Sequence, residues 1–380
     1  MNFKKIMAGV IVTAITISVW AATPQVKNVK AFQQYPWGKV YISYEVDGDV
    51  SNSTGRLPLL FVTAKDKVTG EIYGYVSSEK KFLTGDTGTT AGTHKIVWDV
   101  AGQGLTINSS NVVFTVLYCN EVYLVVDLAS GVDSPSYPVS YMFDVPPGGW
   151  GEVYKTTKLV LRRIDAGTFL MGGSISTTIS KPFYIGIFEV TQKQYQLLTG
   201  GRPSFWGNSV TYPVEQVSWE DVKYSFLGRL QNKTGLDFNL PTEAQWEYAC
   251  RAGTTTTYSY GDTADEDYMW YSINSRYDHT YKQTNEVGTK LPNPWGLYDM
   301  HGNVYEWCRD TYADSLPGGT DPISLSWRAT PQKPDPYRVL RGGCYDDASG
   351  NCSSAYRGSS DQSYSYRTYG FRLVVNTTSD

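Results

Sequence analysis

Between Cys344 and Tyr369, 26 positions near the end of a 380-residue chain, there is no Val, Ile, Leu, Met, Phe, Trp, Lys or Glu. A stretch without aliphatic side chains cannot build a core of its own, so the rest of the fold has to hold it. Histidine is scarce as well. His94, His279 and His301 stand far apart without metal-ligand spacing, which gives no support to a zinc site. The five cysteines, Cys119, Cys250, Cys308, Cys344 and Cys352, allow two disulfides at most and leave one thiol over. Positive charge is not in excess: the formal net charge is -4, so nucleic acid is not an expected partner. Beyond the first 25 residues no segment is long and apolar enough to span a bilayer, and no internal repeat is visible.

What is present is an ordinary globular composition, 41% hydrophobic and 18% charged, in a chain long enough for two domains. It begins "MNFKKIMAGVIVTAITISVWAATPQ", in which Lys4 and Lys5 precede an uncharged apolar run and then small residues. This reads as a signal peptide over residues 1–21, cut after Ala21 or Ala22; an uncleaved anchor helix is the alternative. Removal takes away two lysines and no acid, which deepens the formal charge to -6. An exported chain is expected to be secreted, periplasmic or at the cell surface, and to meet the membrane only through export.

Residues 22–145 alternate as strands do in "KVYISYEV", "LPLLFVTAKD", "EIYGYVSS", "HKIVWDV", "NVVFTVLY" and "EVYLVVDL", with turn residues between them. The pattern predicts a small all-β sandwich of immunoglobulin or fibronectin type. Pro and Gly mark residues 146–157 as a linker. From Lys158 the texture changes to α+β with much irregular structure. Three helices are opened by Thr191 with Gln194, Ser218 with Asp221 and Thr242 with Gln245, the spacing of a capping box. The second places Trp219, Val222, Phe226 and Leu230 on one face and ends at Gly235.

The blocks "RRIDAGTFLMGG", "FYIGIFEVTQKQY", "YPVEQVSWEDV", "LPTEAQWEYACRAG", "PNPWGLYDMHGNVYEWC" and "RVLRGG...GFRLV" occur in the order found in the formylglycine-generating enzyme (sulfatase-modifying factor) family, which residues 158–376 resemble. The resemblance implies a C-type-lectin-like fold. It also implies, in the family's oxidases, a Cu(I) ion on two thiolates that converts a peptide cysteine to formylglycine; soft thiolates suit Cu(I). Counted from the family's glycine block, the two ligand positions fall on Asp347 and Cys352, with Cys344 where the family has serine. The catalytic candidates are therefore Cys344 and Cys352, with copper as cofactor only if the oxidase reading holds. In a second register Cys352 matches the family's structural cysteine, which implies a disulfide to Cys250. "HGNVYEW" resembles a calcium segment, with oxygen ligands on Asn303, Val304 and Glu306; the alternative is that Asn303 caps a turn and Glu306 pairs with an arginine. Trp307 matches an aromatic of the oxidase's oxygen pocket or is core.

The Ser- and Tyr-rich segment has the composition of a binding loop, because Tyr gives large amphipathic contact for few frozen torsions while Ser and Gly adapt around it. Tyr345, Asp346, Asp347, Ser349, Ser353, Tyr356, Ser359, Tyr364, Tyr366 and Tyr369 are the candidate contacts for a protein or glycan ligand. Ser, Tyr, Asp, Gly, Thr and Cys are all reached from the asparagine codon by changing one or both adenines. In this the segment resembles the variable proteins of diversity-generating retroelements; the alternative is a solvated low-complexity loop. Apolar strands at Arg338–Leu340 and Phe371–Val374 are expected to fix its ends, and the expected patch gathers Tyr345, Asp347, Tyr356, Tyr364, Tyr366 and Tyr369 on one solvent-facing side.

Overall fold

In the computed structural model the described residues are 25–34, 38–47, 59–66, 68, 72–77, 82–85, 91–107, 112–119, 123–142, 145–146, 148–207, 209–275, 281–326 and 336–376. The candidate signal peptide and His279 lie outside them. Two compact units meet in sequence at Asn120 and Glu121. The first contains strands β1 (Gln25–Gln34), β2 (Lys39–Asp47), β3 (Leu59–Asp66), β4 (Ile72–Ser77), β5 (Leu83–Gly85), β6 (Gly92–Asp99) and β7 (Val112–Cys119). They form two antiparallel sheets, ordered β1-β2-β6-β5 and β4-β3-β7. Alternate residues of β2, Val40, Ile42, Tyr44 and Val46, share one core with Leu60, Val62 and Ala64 of β3 and with Val112, Phe114 and Val116 of β7. The period of two in the sequence thus becomes a sandwich because each sheet buries one face against the other.

The second unit opens with β8 (Tyr123–Asp127) and β9 (Val139–Met142), which the sequence had placed in the sandwich. β8 instead pairs with β10 (Lys158–Ile164). Alternation identifies a strand without naming its partner, so the boundary falls at residue 121 and not 145. The expected linker at 146–157 also carries a short helix, α1 (Val153–Thr156). Then follow β11 (Gly167–Met171), β12 (Ile175–Ile179), β13 (Phe183–Gly186), α2 (Gln192–Thr199), a π-helical turn at Asp221–Leu227, α3 (Gly228–Thr234), β14 (Phe238–Asn239) and α4 (Glu243–Arg251). The last strands are β15 (Tyr305–Thr311), β16 (Gly319–Thr320), β17 (Tyr337–Arg341), β18 (Gly358–Asp361), β19 (Tyr369–Gly370) and β20 (Val374–Asn376). A six-stranded sheet, β14-β20-β13-β10-β8-β9, and a four-stranded sheet, β18-β17-β15-β19, frame the unit.

Full capping boxes start α2 and α4, at Thr191/Gln194 and Thr242/Gln245. Ser218 and Asp221 make the same reciprocal bonds, each backbone N–H donating to the other's side-chain oxygen at 3.0 Å. Trp219, Val222, Phe226 and Leu230 are all buried, and Gly235 ends α3 at φ +71°. Among the described residues no helix is long and apolar enough to cross a membrane.

Candidate functional site

The serine- and tyrosine-rich segment leaves β17 and returns to the sheet through β18 and β19. Its lower half is held by its main chain. Arg341, fully buried on β17, donates to Tyr356 O and, at 2.9 Å, to Ser354 O, and it pairs with Glu247 of α4. Arg357 closes the same ring through a two-pronged contact with Glu243, at 2.6 and 2.8 Å. Further main-chain bonds run from Tyr345 N to Asn303 O and from Ser354 N to Thr257 O. His301 Nδ1 donates to Cys352 O at 2.8 Å, because its Nε2 accepts from Ser259 N. Bonds to carbonyls are indifferent to side-chain identity, which is how a stretch without aliphatic residues stays folded.

The expected single patch is divided. Tyr345 is only 1% exposed, and its hydroxyl accepts from Trp206 Nε1 at 2.8 Å. It is a core residue, because the loop ending in Trp206 closes over it. Asp346 is exposed and pairs with Lys282 at 2.8 Å. Asp347 is turned inward, accepting from Cys344 N and from the Cys344 thiol, both at 3.1 Å, and from Asn351 Nδ2. Ser349, Ser353, Tyr356, Ser359 and Tyr369 are half-buried. Tyr364 and Tyr366 are 51% and 41% exposed, their rings nearly parallel with centroids 6.1 Å apart. Tyr369 stands behind them against Trp307, at 5.3 Å. Trp307 itself is core: fully buried, it donates to Val217 O. β17 begins the segment as expected, whereas after it the strand starts at Val374, not Phe371.

Sequence reasoning missed Phe205, which shares the Arg367 guanidinium with Tyr366, and Trp206, which covers Tyr345. Phe205 is 57% exposed, and the Arg367 guanidinium lies over both its ring and that of Tyr366, at 5.9 and 5.7 Å. The signal was "PSFWG", two adjacent aromatics inside turn residues.

The four cysteines with described side chains are free and buried. The expected Cys250–Cys352 bridge is not formed: Cys250 Sγ faces Met300 O and His301 Nε2, whereas Cys352 Sγ faces Cys344 O and Ala348 O. Burial, and then the Asp347 carboxylate, push both the Cys344 and Cys352 thiols upward. Burial likewise takes Cys250 to about 12. A hard carboxylate that accepts from one thiol and opposes ionisation of both does not fit the two-thiolate Cu(I) site.

The calcium set does not fit either. Glu306 is clasped by Arg372, Nε and Nη2 each at 2.6 Å, and accepts from Trp246 Nε1. Asn303 Oδ1 accepts from Asn285 N, while Asn303 Nδ2 and Val304 N donate to Glu189. A cation at Glu306 would sit against the guanidinium. The strained turn beneath is set by Gly302, at φ +101°, where a Cβ would stand 2.0 Å from Trp270 O.

Glu189, Asp299 and Glu306 are three buried carboxylates around one arginine. Burial first, then Asp299 and Glu306, hold Glu189 well above the carboxylate range, and burial takes Asp299 to about 6. Burial also raises Asp310 to about 6 and Glu215 to about 7. The native unit keeps these protons at pH values where the unfolded chain has lost them. The stability they contribute is therefore complete below about pH 4; that of Asp299, Asp310 and Glu215 is lost as pH rises through about 6 to 7, and Glu189 acts in the same direction. His301, lowered to about 4 by burial, works the other way between about pH 4 and 6.5. With four acids against one histidine, the urea midpoint of the second unit is expected to be higher at pH 5 than at pH 7.5. A midpoint climbing steadily across that range would contradict these assignments.

Residues 154–377 match the sulfatase-modifying factor enzyme 1-like domain. The formylglycine-generating enzyme of Mycobacterium tuberculosis is 32% identical over 195 residues, which are 47% of this chain and 62% of that enzyme. Among the curated relatives it matches, the chain spans from 24% of the length of the serine/threonine-protein kinase pkn1 of Chlamydia pneumoniae to 79% of that of the chaperone protein LppX of Paenibacillus barcinonensis. Among solved structures, PvdO from Pseudomonas aeruginosa is similar over 58% of this chain and 95% of its own, at 24% identity and a TM-score of 0.50. Treponema denticola variable protein 1 is similar over 58% of this chain and 96% of its own, at 28% identity and a TM-score of 0.48.

Proposed function

Because this chain belongs to the sulfatase-modifying factor enzyme 1-like domain family, we propose that it is an exported binding member of that family, presenting a Tyr- and Ser-rich C-terminal face to a protein or glycan at a cell surface. The observation that carries the reading is the exposed pair Tyr364 and Tyr366 on a segment held through its main chain. The side chains of Tyr364 and Tyr366 can change without cost to the core, which is what a diversified surface requires. Large rings already close to one another bind with few torsions left to freeze. The family's copper chemistry is not assigned to this chain, since Cys344 and Cys352 are buried and protonated beside Asp347. Calcium on Asn303, Val304 and Glu306 is not assigned either.

The test is a ligand selected from displayed protein and glycan collections, then measured against variants. Tyr364→Ala and Tyr366→Ala are each expected to weaken its binding by roughly 2 kcal/mol or more, as anchor tyrosines do. Their melting temperatures should stay near that of the parent. Unchanged binding with a melting temperature lowered by several degrees would make both rings structural and the reading wrong. Stoichiometric Cu(I) uptake by the reduced chain, with turnover of a sulfatase-motif peptide cysteine, would support the formylglycine-generating oxidase instead.

A further inference from the structure

The face has a second side that the Ser- and Tyr-rich segment does not supply. Phe205 and Trp206 stand edge to face, 5.0 Å between ring centroids, on the loop after Arg202. Trp206 is fixed from two directions: Nε1 donates to the Tyr345 hydroxyl, and its backbone N donates to Glu215 Oε1 at 2.9 Å. The guanidinium of Arg367 lies over both the Phe205 ring and the Tyr366 ring. Arg367 Nε is buried without a hydrogen-bond partner, and none of the ion pairs among the described residues uses Arg367. Glu215, the carboxylate that feels its charge, is fully buried beneath the loop with Oε1 engaged by Trp206.

A guanidinium set against two exposed aromatic rings, its Nε buried and its Nη groups in no ion pair among the described residues, has the chemistry of a carboxylate receptor. Its planar fork matches two carboxylate oxygens, and rings that exclude water on binding strengthen the contact. Tyr, Trp and Arg are also the residues that dominate binding energy at protein interfaces. A glycan's neutral hydroxyls satisfy the fork less well.

We propose that Phe205, Trp206, Tyr366 and Arg367 form one composite site that takes an acidic side chain flanked by apolar residues on a protein partner. This rests on the ligand-binding reading above and names its partner class. The Phe205–Trp206 loop supplies a fixed wall and the C-terminal segment the adjustable one.

Immobilised pools of random dodecapeptides test this with the full chain at low salt: one alternating Asp/Glu with aromatic and aliphatic residues, one with Asn/Gln in place of the acids, and one with Lys/Arg. An array of pyranose oligosaccharides runs beside them. The acidic pool should be retained about tenfold or more over the amide pool, with the preference screened by salt. Phe205→Ala and Arg367→Gln should abolish it, and Arg367→Lys, which keeps the charge but loses the fork, should keep only part. Melting curves identify variants that fail to fold, in which case Arg367→Lys carries the test. Equal retention of acidic and amide pools, or retention of oligosaccharides without peptides, would overturn the inference. If Tyr364→Ala and Tyr366→Ala lose retention while Phe205→Ala and Arg367→Gln keep it, the inference fails and the binding face stands. If no variant loses retention, both fail.

Discussion

Replacing Arg372 with methionine is expected to destabilise the second unit by about 3–5 kcal/mol, the cost of breaking a buried ion pair from one side. Arg372 is fully buried, clasps Glu306 with two 2.6 Å bonds, and donates to Gly186 O and Tyr298 O. Its loss leaves Glu306 charged in the interior next to Glu189 and Asp299 and orphans two carbonyls. Methionine fills much of the volume, so the effect reads charge and hydrogen bonding and not a cavity. The carboxylates can escape by protonation, so the loss should shrink between pH 7.5 and pH 5. Urea unfolding followed at the second unit's transition measures both features. A loss under about 1 kcal/mol, or one independent of pH, would mean that Arg372 does not balance this cluster. Adding Glu306→Gln should recover part of the loss, since it removes the charge left without a partner.

Tyr345→Ala is expected to cost about 3–4 kcal/mol, in the range for removing a large aromatic from a core. The ring is 1% exposed, and truncation also strips the Trp206 indole N–H of its acceptor. In a unit of this size the melting temperature should fall by roughly 10 °C. Tyr364→Ala and Tyr366→Ala, at 51% and 41% exposure, should stay within about 0.5 kcal/mol of the parent. Three tyrosines of one compositionally uniform segment are thereby assigned opposite roles. If Tyr345→Ala melts within about 2 °C of the parent, the loop that closes over it is not a stable part of the fold.

Features that near neighbours along the chain decide were legible in the amino-acid order. The capping boxes at Thr191 and Thr242, the reciprocal Ser218–Asp221 bonds, the left-handed stop at Gly235 and the alternation of β2 involve residues within a few positions of one another. Six ordered sequence blocks also carried the family, because they record whole stretches and not single contacts. That Tyr345 is core while Tyr364 is surface was not legible there, for the difference is made by Trp206, 139 residues away in the chain. The same holds for Glu306, whose carboxylate is a plausible calcium ligand in "HGNVYEW" until Arg372, 66 residues on, takes both oxygens. Cys250 and Cys352 were paired by register, yet the fold points their sulfurs at different carbonyls. Burial and charge balance are properties of a completed core, set by groups that local pattern cannot bring together, and they separate the residues that hold this segment from those it displays.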